Sequence, residues 1–162
     1  MDYLLLKCKE SIIAFSFEQI LEINHLPLLQ DVPYHGKGYI GMLNYRGTSL
    51  PVYDLSLVLY DSPTPITMTT KILIINPKKP YGIVFEDIVE NVLDANLEMR
   101  EEEAIFKQML VVKDKIYPFL DSEVLLEIIN SEKEVRSPSF CINSKVLEKL
   151  LKKRSEKFLK DL

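Results

Sequence analysis

A chain of 162 residues can bury the core of one domain without metal or disulfide support. Its hydrophobic content of 47% is that of a folded protein, and no apolar run reaches the roughly 20 residues of a membrane-spanning helix. The net charge of -4 is uneven: residues 131–162 hold nine Lys/Arg against five Asp/Glu, while the preceding residues hold 11 against 19. So acidic a body argues against a nucleic-acid surface there, because phosphate binding needs a clustered basic face.

The opening Met1-Asp2-Tyr3-Leu4 lacks the basic region and cleavage site of a signal peptide, so a cytoplasmic protein is expected. Tyr3–Cys8 and Ile12–Phe15 predict two short strands around a Lys9-Glu10-Ser11 turn, apolar enough to be buried on both faces. Ser16 and Gln19 have the spacing of a capping box at the start of a short helical turn. Glu22–His25 reads as strand, and Pro27 and Pro33 fix the loop that follows. Over residues 39–55, two apolar strands flank an Arg46-Gly47-Thr48 hairpin turn, with Gly47 free to take positive φ. Asp54 then opens a short helix, Leu55–Leu59. Pro63 and Pro65 mark an expected lobe boundary at about 61–70.

The second half has the same grammar: a strand over Thr70–Asn76, a Pro77–Pro80 turn, a strand over Tyr81–Phe85, and a turn and strand over Asp87–Leu93. Glu101-Glu102-Glu103 reads as a solvated loop or helix turn. Met109–Val112 and Ile116–Leu120 form a hairpin around Lys113-Asp114-Lys115, and Asp121 caps a helix over Ser122–Ile129. Leu50–Leu55 is thus echoed by Ile116–Asp121, each a strand ending in an aspartate before a Leu-rich helix. Short strands with regular turns in two echoing halves predict two small antiparallel barrel lobes.

The tail reads as a basic amphipathic helix over 143–162. Val146, Leu147, Leu150, Leu151, Phe158 and Leu162 lie roughly on one face, and Lys145, Lys149, Lys152, Lys153, Lys157 and Lys160 occupy much of the rest. Such a helix can dock on its own acidic body, bind a partner or a second copy, or lie on a membrane surface.

Reactive chemistry is sparse. His25 and His35 have no visible cluster of metal ligands around them. Cys8 and Cys141 lack metal-ligand spacing and read as apolar packing residues. The five glycines form no phosphate loop, and no nucleophile elbow occurs. Glu86 and Asp87 are adjacent on a predicted strand and point to opposite faces, which makes a poor acid–base pair. The expectation is therefore no enzyme and no cofactor.

Gly41-Met42-Leu43-Asn44-Tyr45-Arg46-Gly47 followed by Leu50-Pro51-Val52-Tyr53-Asp54-Leu55 resembles the G-h-h-N-h-R-G…h-P-h-h-D-L signature of the CheW-like domain family, with h an apolar residue. Ile20–Ile23 resembles the family's V-x-E-I stretch, and Tyr81–Ile88 its V-G-h-h-V-D-x-V segment. The blocks keep their order across residues 3–129. Tyr45 departs from the usual leucine and Glu86 from the usual aspartate, and the segment before Met109 lacks the usual glycine.

The resemblance implies a CheW-like domain over 1–130, mostly β, built as two SH3-like five-stranded barrels whose termini cross between lobes, with 131–162 as an extension. It implies an adaptor that couples the cytoplasmic tips of chemoreceptors to the regulatory domain of a CheA-type histidine kinase, recruited to receptor arrays at the inner membrane. An adaptor of another pathway, in motility or gene control, and a small enzyme or nucleic-acid-binding barrel are the alternatives. Ile20, Glu22 and Arg46 match kinase-binding positions, with an Arg46–Glu22 ion pair shaping the surface. Asn44, Tyr45 and Gly47 support the turn, and Leu43, Val52, Ile83 and Val84 are candidates for the receptor groove. Neither nucleic acid nor direct membrane insertion is implied, and the 143–162 helix is a further contact element.

Overall fold

A computed structural model of the chain describes residues 1–99, 108–132 and the backbone of 135–136. In chain order the elements are β1 (Tyr3–Cys8), β2 (Ser11–Ser16), a 3-10 turn (Phe17–Gln19), β3 (Ile20–His25), β4 (Tyr34–His35), β5 (Tyr39–Tyr45), β6 (Thr48–Asp54) and α1 (Leu55–Tyr60). There follow β7 (Lys71–Ile75), β8 (Tyr81–Phe85), β9 (Asp87–Val92), β10 (Leu97–Met99), β11 (Gln108–Val112), β12 (Lys115–Phe119), α2 (Ser122–Asn130) and β13 (Val135–Arg136). The tail expected as helix 143–162, Cys141 and Glu101-Glu102-Glu103 lie outside the described residues.

Two larger sheets hold nearly all the strands, in the orders β10-β11-β12-β2-β1-β9 and β3-β7-β8-β6-β5, and β13 pairs with β4. The end strands of each larger sheet are not bonded to each other, so neither sheet is a closed barrel. Tight turns set the hairpins. Lys9, Arg46 and Lys113 each take positive φ at the first turn position, the conformation that matches the right-handed twist of the flanking strands.

The apolar density of β1 and β2 has a specific cause, because this hairpin is a wall between two cores. Leu4, Leu6, Cys8, Ile13 and Phe15 face the large core between the sheets, where they meet Tyr53, Leu73, Ile83 and Phe85. Tyr3, Leu5 and Ala14 face the opposite way, into a smaller core with Val92, Leu110 and Phe119. The five-stranded sheet is likewise buried on its second face, by Leu26, Ile40, Val52, Ile72 and Val84. At about 25 cal/mol per Å² of apolar surface, a strand buried on both sides contributes about twice what a half-exposed one does.

The loop over 61–70 joins α1 to β7, and the strands on either side of it, β6 and β7, belong to one sheet. The chain instead changes sheet at the 3-10 turn after β2 and at Glu86 after β8. Each half places its first hairpin in one sheet and its later strands in the other. Proline-rich composition marked an exposed connection and carried no information on strand partners.

The echo between the halves is visible in the backbone. β6 and β12 each run parallel to a central strand, β8 and β2, and each leads into a capping aspartate. Asp54 Oδ1 accepts the N–H groups of Ser56 and Leu57 at 3.1 and 3.5 Å, and Asp121 Oδ1 accepts those of Glu123 and Val124 at 2.8 and 3.4 Å. Asp54 is fully buried, and its carboxylate also takes the Thr64 N–H at 2.8 Å and the Thr64 hydroxyl. Burial pushes its carboxyl above the ordinary range, while the Thr64 contacts and the two cap bonds oppose the shift.

Candidate functional site: the Arg46 hairpin and its cavity

The β5–β6 hairpin ends in the pair Tyr45 and Thr48, leaving Arg46 and Gly47 as a two-residue loop at φ 50° and 82°. Asn44 Oδ1 accepts the Gly47 N–H at 3.2 Å and so closes the turn. A Cβ at Gly47 would meet nothing within 4 Å, so glycine is needed there for its backbone angle and not for space. The Arg46 guanidinium lies 5.2 Å from the centre of the Tyr45 ring, within cation–π range. Tyr45, the departure from the family's leucine, thus supplies a platform for the exposed arginine.

Beneath the hairpin lies a cavity of about 480 Å³, walled by Glu22 and Asn24 of β3 and by Leu43–Tyr45 of β5 with Arg46 of the turn, and with Ile72 and Ile74 of β7 beneath. The two walls are the unbonded end strands of the five-stranded sheet, so the opening between them is the cavity. Glu22, Asn44, Tyr45 and Arg46 therefore line one cavity. The Arg46–Glu22 ion pair is not formed. Ion pairs among the described residues join Lys7 to Glu86, Lys37 to Asp61 and Lys71 to Asp87, and Arg46 instead packs on Tyr45.

Ile20 and Glu22 do not share a surface. On a regular strand residues two apart face the same way, but the pairing with β7 shifts here, Ile20 opposite Ile75 and Glu22 opposite Ile74. Ile20 consequently packs against the large core, Glu22 turns to the cavity, and Leu21 is left 42% exposed at the bulge. Leu21 is the residue that sequence reasoning passed over. A bulge leaves no compositional mark in an aliphatic run.

Of the receptor-groove candidates, only Leu43 reaches the cavity, and it is half-buried. Val52, Ile83 and Val84 are fully buried, and their alternation splits them: Val52 and Val84 face the inner core of the five-stranded sheet, Ile83 the core between sheets. They are packed in the interior. Their parallel pairing requires Gly82 opposite Val52, where a Cβ would stand 2.9 Å from Ile72 Cδ1 and 3.1 Å from Val52 Cγ2.

A second, larger concavity of about 690 Å³ lies between β4, β6, the β7–β8 turn and α2. Tyr34, His35, Tyr53 and Tyr81 line it, with Lys78 and Lys79 on one wall and Leu126 and Asn130 of α2 on the other. Its tyrosines Tyr34, Tyr53 and Tyr81 belong to a chain of ring contacts that runs through the buried Tyr39, Tyr34–Tyr39–Tyr53–Tyr81, with ring centres 5.8, 6.0 and 6.0 Å apart. Tyr81 donates its hydroxyl to the Ser122 carbonyl at 2.6 Å, Tyr53 to that of His35 at 3.4 Å, and Tyr39 to that of Val32. The clue in the sequence was eight tyrosines with no tryptophan, but their convergence depends on pairing between distant strands. Among the described residues no three His, Cys, Asp or Glu side chains gather to hold a metal ion, and no helix is long and apolar enough to cross a membrane.

Comparison with known proteins agrees with this architecture. The scaffolding protein TtCheW from Thermoanaerobacter tengcongensis has a solved structure that shares the fold, with a TM-score of 0.69 at 16% identity over 83% of this chain and 93% of that one. No curated protein matches the chain. The CheW-like domain matches residues 2–130, well over half of the sequence and all but the last two strand residues described. The chain belongs to the CheW-like domain family.

Proposed function

We propose that the chain is a non-catalytic adaptor that couples chemoreceptors to a CheA-type histidine kinase in bacterial chemosensory signalling. The family match over residues 2–130 carries this reading. The scaffolding role named for TtCheW supports it. Each curled sheet, with a core on its inner face, acts as one SH3-like lobe of the 1–130 domain, and 131–162 is an extension. The protein works in the cytoplasm, at receptor arrays on the inner membrane.

In this reading the kinase's regulatory domain docks over the hairpin cavity lined by Glu22 and Arg46, beside the exposed Leu21 that precedes Glu22 in β3. An exposed aliphatic beside opposite charges makes a small apolar contact with an orienting polar rim. Asn44, Tyr45 and Gly47 hold Arg46 in place. Leu43 is the part of the expected receptor groove that a receptor tip can touch. The extension beyond the matched span favours a second reading, an adaptor of the same build serving motility or gene control.

Titration calorimetry against the regulatory domain of a CheA-type kinase from the same cell tests the proposal. Micromolar binding by the native protein, weakened about tenfold or more by Arg46→Ala with an unchanged circular dichroism spectrum, is the expected result. Absence of binding by the well-folded native protein would overturn kinase coupling.

A further inference from the structure

Two opposite charges face the hairpin cavity without neutralising each other. Glu22 comes from β3 and Arg46 from the β5–β6 turn, and both line the same opening. Glu22 is half-buried and Arg46 is exposed. The ion pairs among the described residues involve neither of them. Their separation needs a cause, because the planar donor fork of an arginine matches a carboxylate well.

The cause is the residue before the arginine. Adjacent side chains on a regular strand point to opposite faces. Arg46 leaves the strand at φ 50°, and its guanidinium comes to lie 5.2 Å from the centre of the Tyr45 ring. The bond from the Gly47 N–H to Asn44 Oδ1 closes the turn that sets this geometry. A cation on a half-exposed ring and an exposed ion pair are contacts of similar, modest strength. One aromatic side chain is therefore enough to decide between them. Glu22 is set from the other wall, where the shift in pairing between β3 and β7 turns it to the cavity. The floor of buried Ile72 and Ile74 offers neither charge a partner.

We infer that Tyr45 is a positioning residue whose ring holds the Arg46 guanidinium off Glu22. The cavity thereby keeps a cation and a carboxylate for a partner that brings an acidic side chain to one and a basic side chain to the other. The partner half of this inference rests on the kinase reading above, with the regulatory domain as that partner. A leucine at position 45 gives the guanidinium no π face. Arg46 then turns to Glu22, and the two charges cancel within the chain.

Nuclear magnetic resonance of the full chain reads the arginine directly. The Arg46 δ protons should show ring-current shifts to high field and Overhauser contacts to the Tyr45 ring. Tyr45→Phe keeps the ring and should retain the shifts. Tyr45→Leu, with an unchanged circular dichroism spectrum, should lose them and gain a slowly exchanging Arg46 Nε–H that Glu22→Gln abolishes. Arg46 signals that are the same in the native protein and in Tyr45→Leu overturn the positioning role. Calorimetry against the regulatory domain of a CheA-type kinase from the same cell reads the recognition. Tyr45→Leu, Glu22→Gln and Arg46→Gln should each weaken binding several-fold, while Tyr45→Phe stays close to native. Unchanged or tighter binding by Glu22→Gln would mean that Glu22 serves only to neutralise Arg46, and it overturns the two-charge partner. Absence of binding by the native protein overturns the kinase reading and the recognition together, while the Arg46 signals of the free protein still decide the role of Tyr45.

Discussion

Gln19 reaches from the 3-10 turn to the N-terminus of α2, donating from Nε2 to Asp121 Oδ2 at 2.8 Å and accepting the Ser122 N–H on Oε1 at 2.9 Å. Its own carbonyl accepts the Asn76 N–H at 2.9 Å, so one residue ties together β7, α2 and the crossing after β2. The sequence predicts a local capping box for Gln19. Ser16 does cap the turn, through Glu18, but the glutamine side chain serves a helix more than 100 residues away.

Replacing Gln19 with alanine leaves the Ser122 N–H and one Asp121 oxygen without protein partners. We expect Gln19→Ala to destabilise the fold by about 1–3 kcal/mol in urea denaturation. Amide exchange should speed up first at the start of α2. Unchanged exchange there would show that water replaces the contact.

Asp54 is the counterpart with higher stakes. A buried carboxylate with four donors cannot lose its place without orphaning them, so Asp54→Ala should cost about 3–5 kcal/mol. Thr64→Val keeps the shape and removes only the hydroxyl donor, for about 1–2 kcal/mol. Thermal unfolding of the two variants checks the order, and equal losses would mean that the loop at 61–70, not the carboxylate, sets the stability.

Two glycines should respond differently. At Gly82 the backbone tolerates a side chain but the space does not, so Gly82→Ala should cost about 1–3 kcal/mol through crowding against Ile72 and Val52. At Gly47 the space is open and φ is 82°, so Gly47→Ala should cost about 1 kcal/mol through backbone strain alone. Denaturation midpoints distinguish the two, and a Gly47 effect larger than that at Gly82 would contradict the packing.

Burial pushes the Tyr39 hydroxyl from its ordinary 10.0 up to about 12, and it raises Tyr53 and Tyr81 as well. A raised phenol means that the folded state holds its proton more tightly than the unfolded one. The stability this contributes is fully present below pH 10.0 and is lost as pH rises through the folded values. In an alkaline titration the phenolate absorbance of these three should appear together with the loss of circular dichroism. Early ionisation in a folded chain would refute the burial.

The Cys8 thiol is likewise pushed up to about 12, first by burial and then by the nearby Asp54 and Glu86 charges. In a Cys141→Ser chain, iodoacetamide should therefore leave the native protein unmodified and react with Cys8 only in denaturant, as read by mass spectrometry. Rapid labelling of the native chain would place Cys8 at a surface.

Strands and caps were legible where local chemistry decides them. Apolar runs bounded by Lys9-Glu10, Arg46-Gly47 and Lys113-Asp114 gave the hairpins, and Asp54 and Asp121 gave the helix starts. β4 and β10, of two and three residues, are too short for any periodicity to show. The bulge at Leu21, the burial of Val52, Ile83 and Val84, and the failure of Glu22 to reach Arg46 all depend on strand partners. Only the three-dimensional arrangement of the sheets decides those.

The exchange of hairpins between the two sheets has a consequence for how the molecule comes into being. β2 meets β12 only after Phe119 has left the ribosome, and β1 waits for β9. The first strands synthesised must stay exposed through most of translation, a topology that favours slow folding. For the same reason a chain cut in the 61–70 loop would not yield two independent halves. Each piece would hold a hairpin that belongs to the other's sheet, so the fragments should fold only by finding one another.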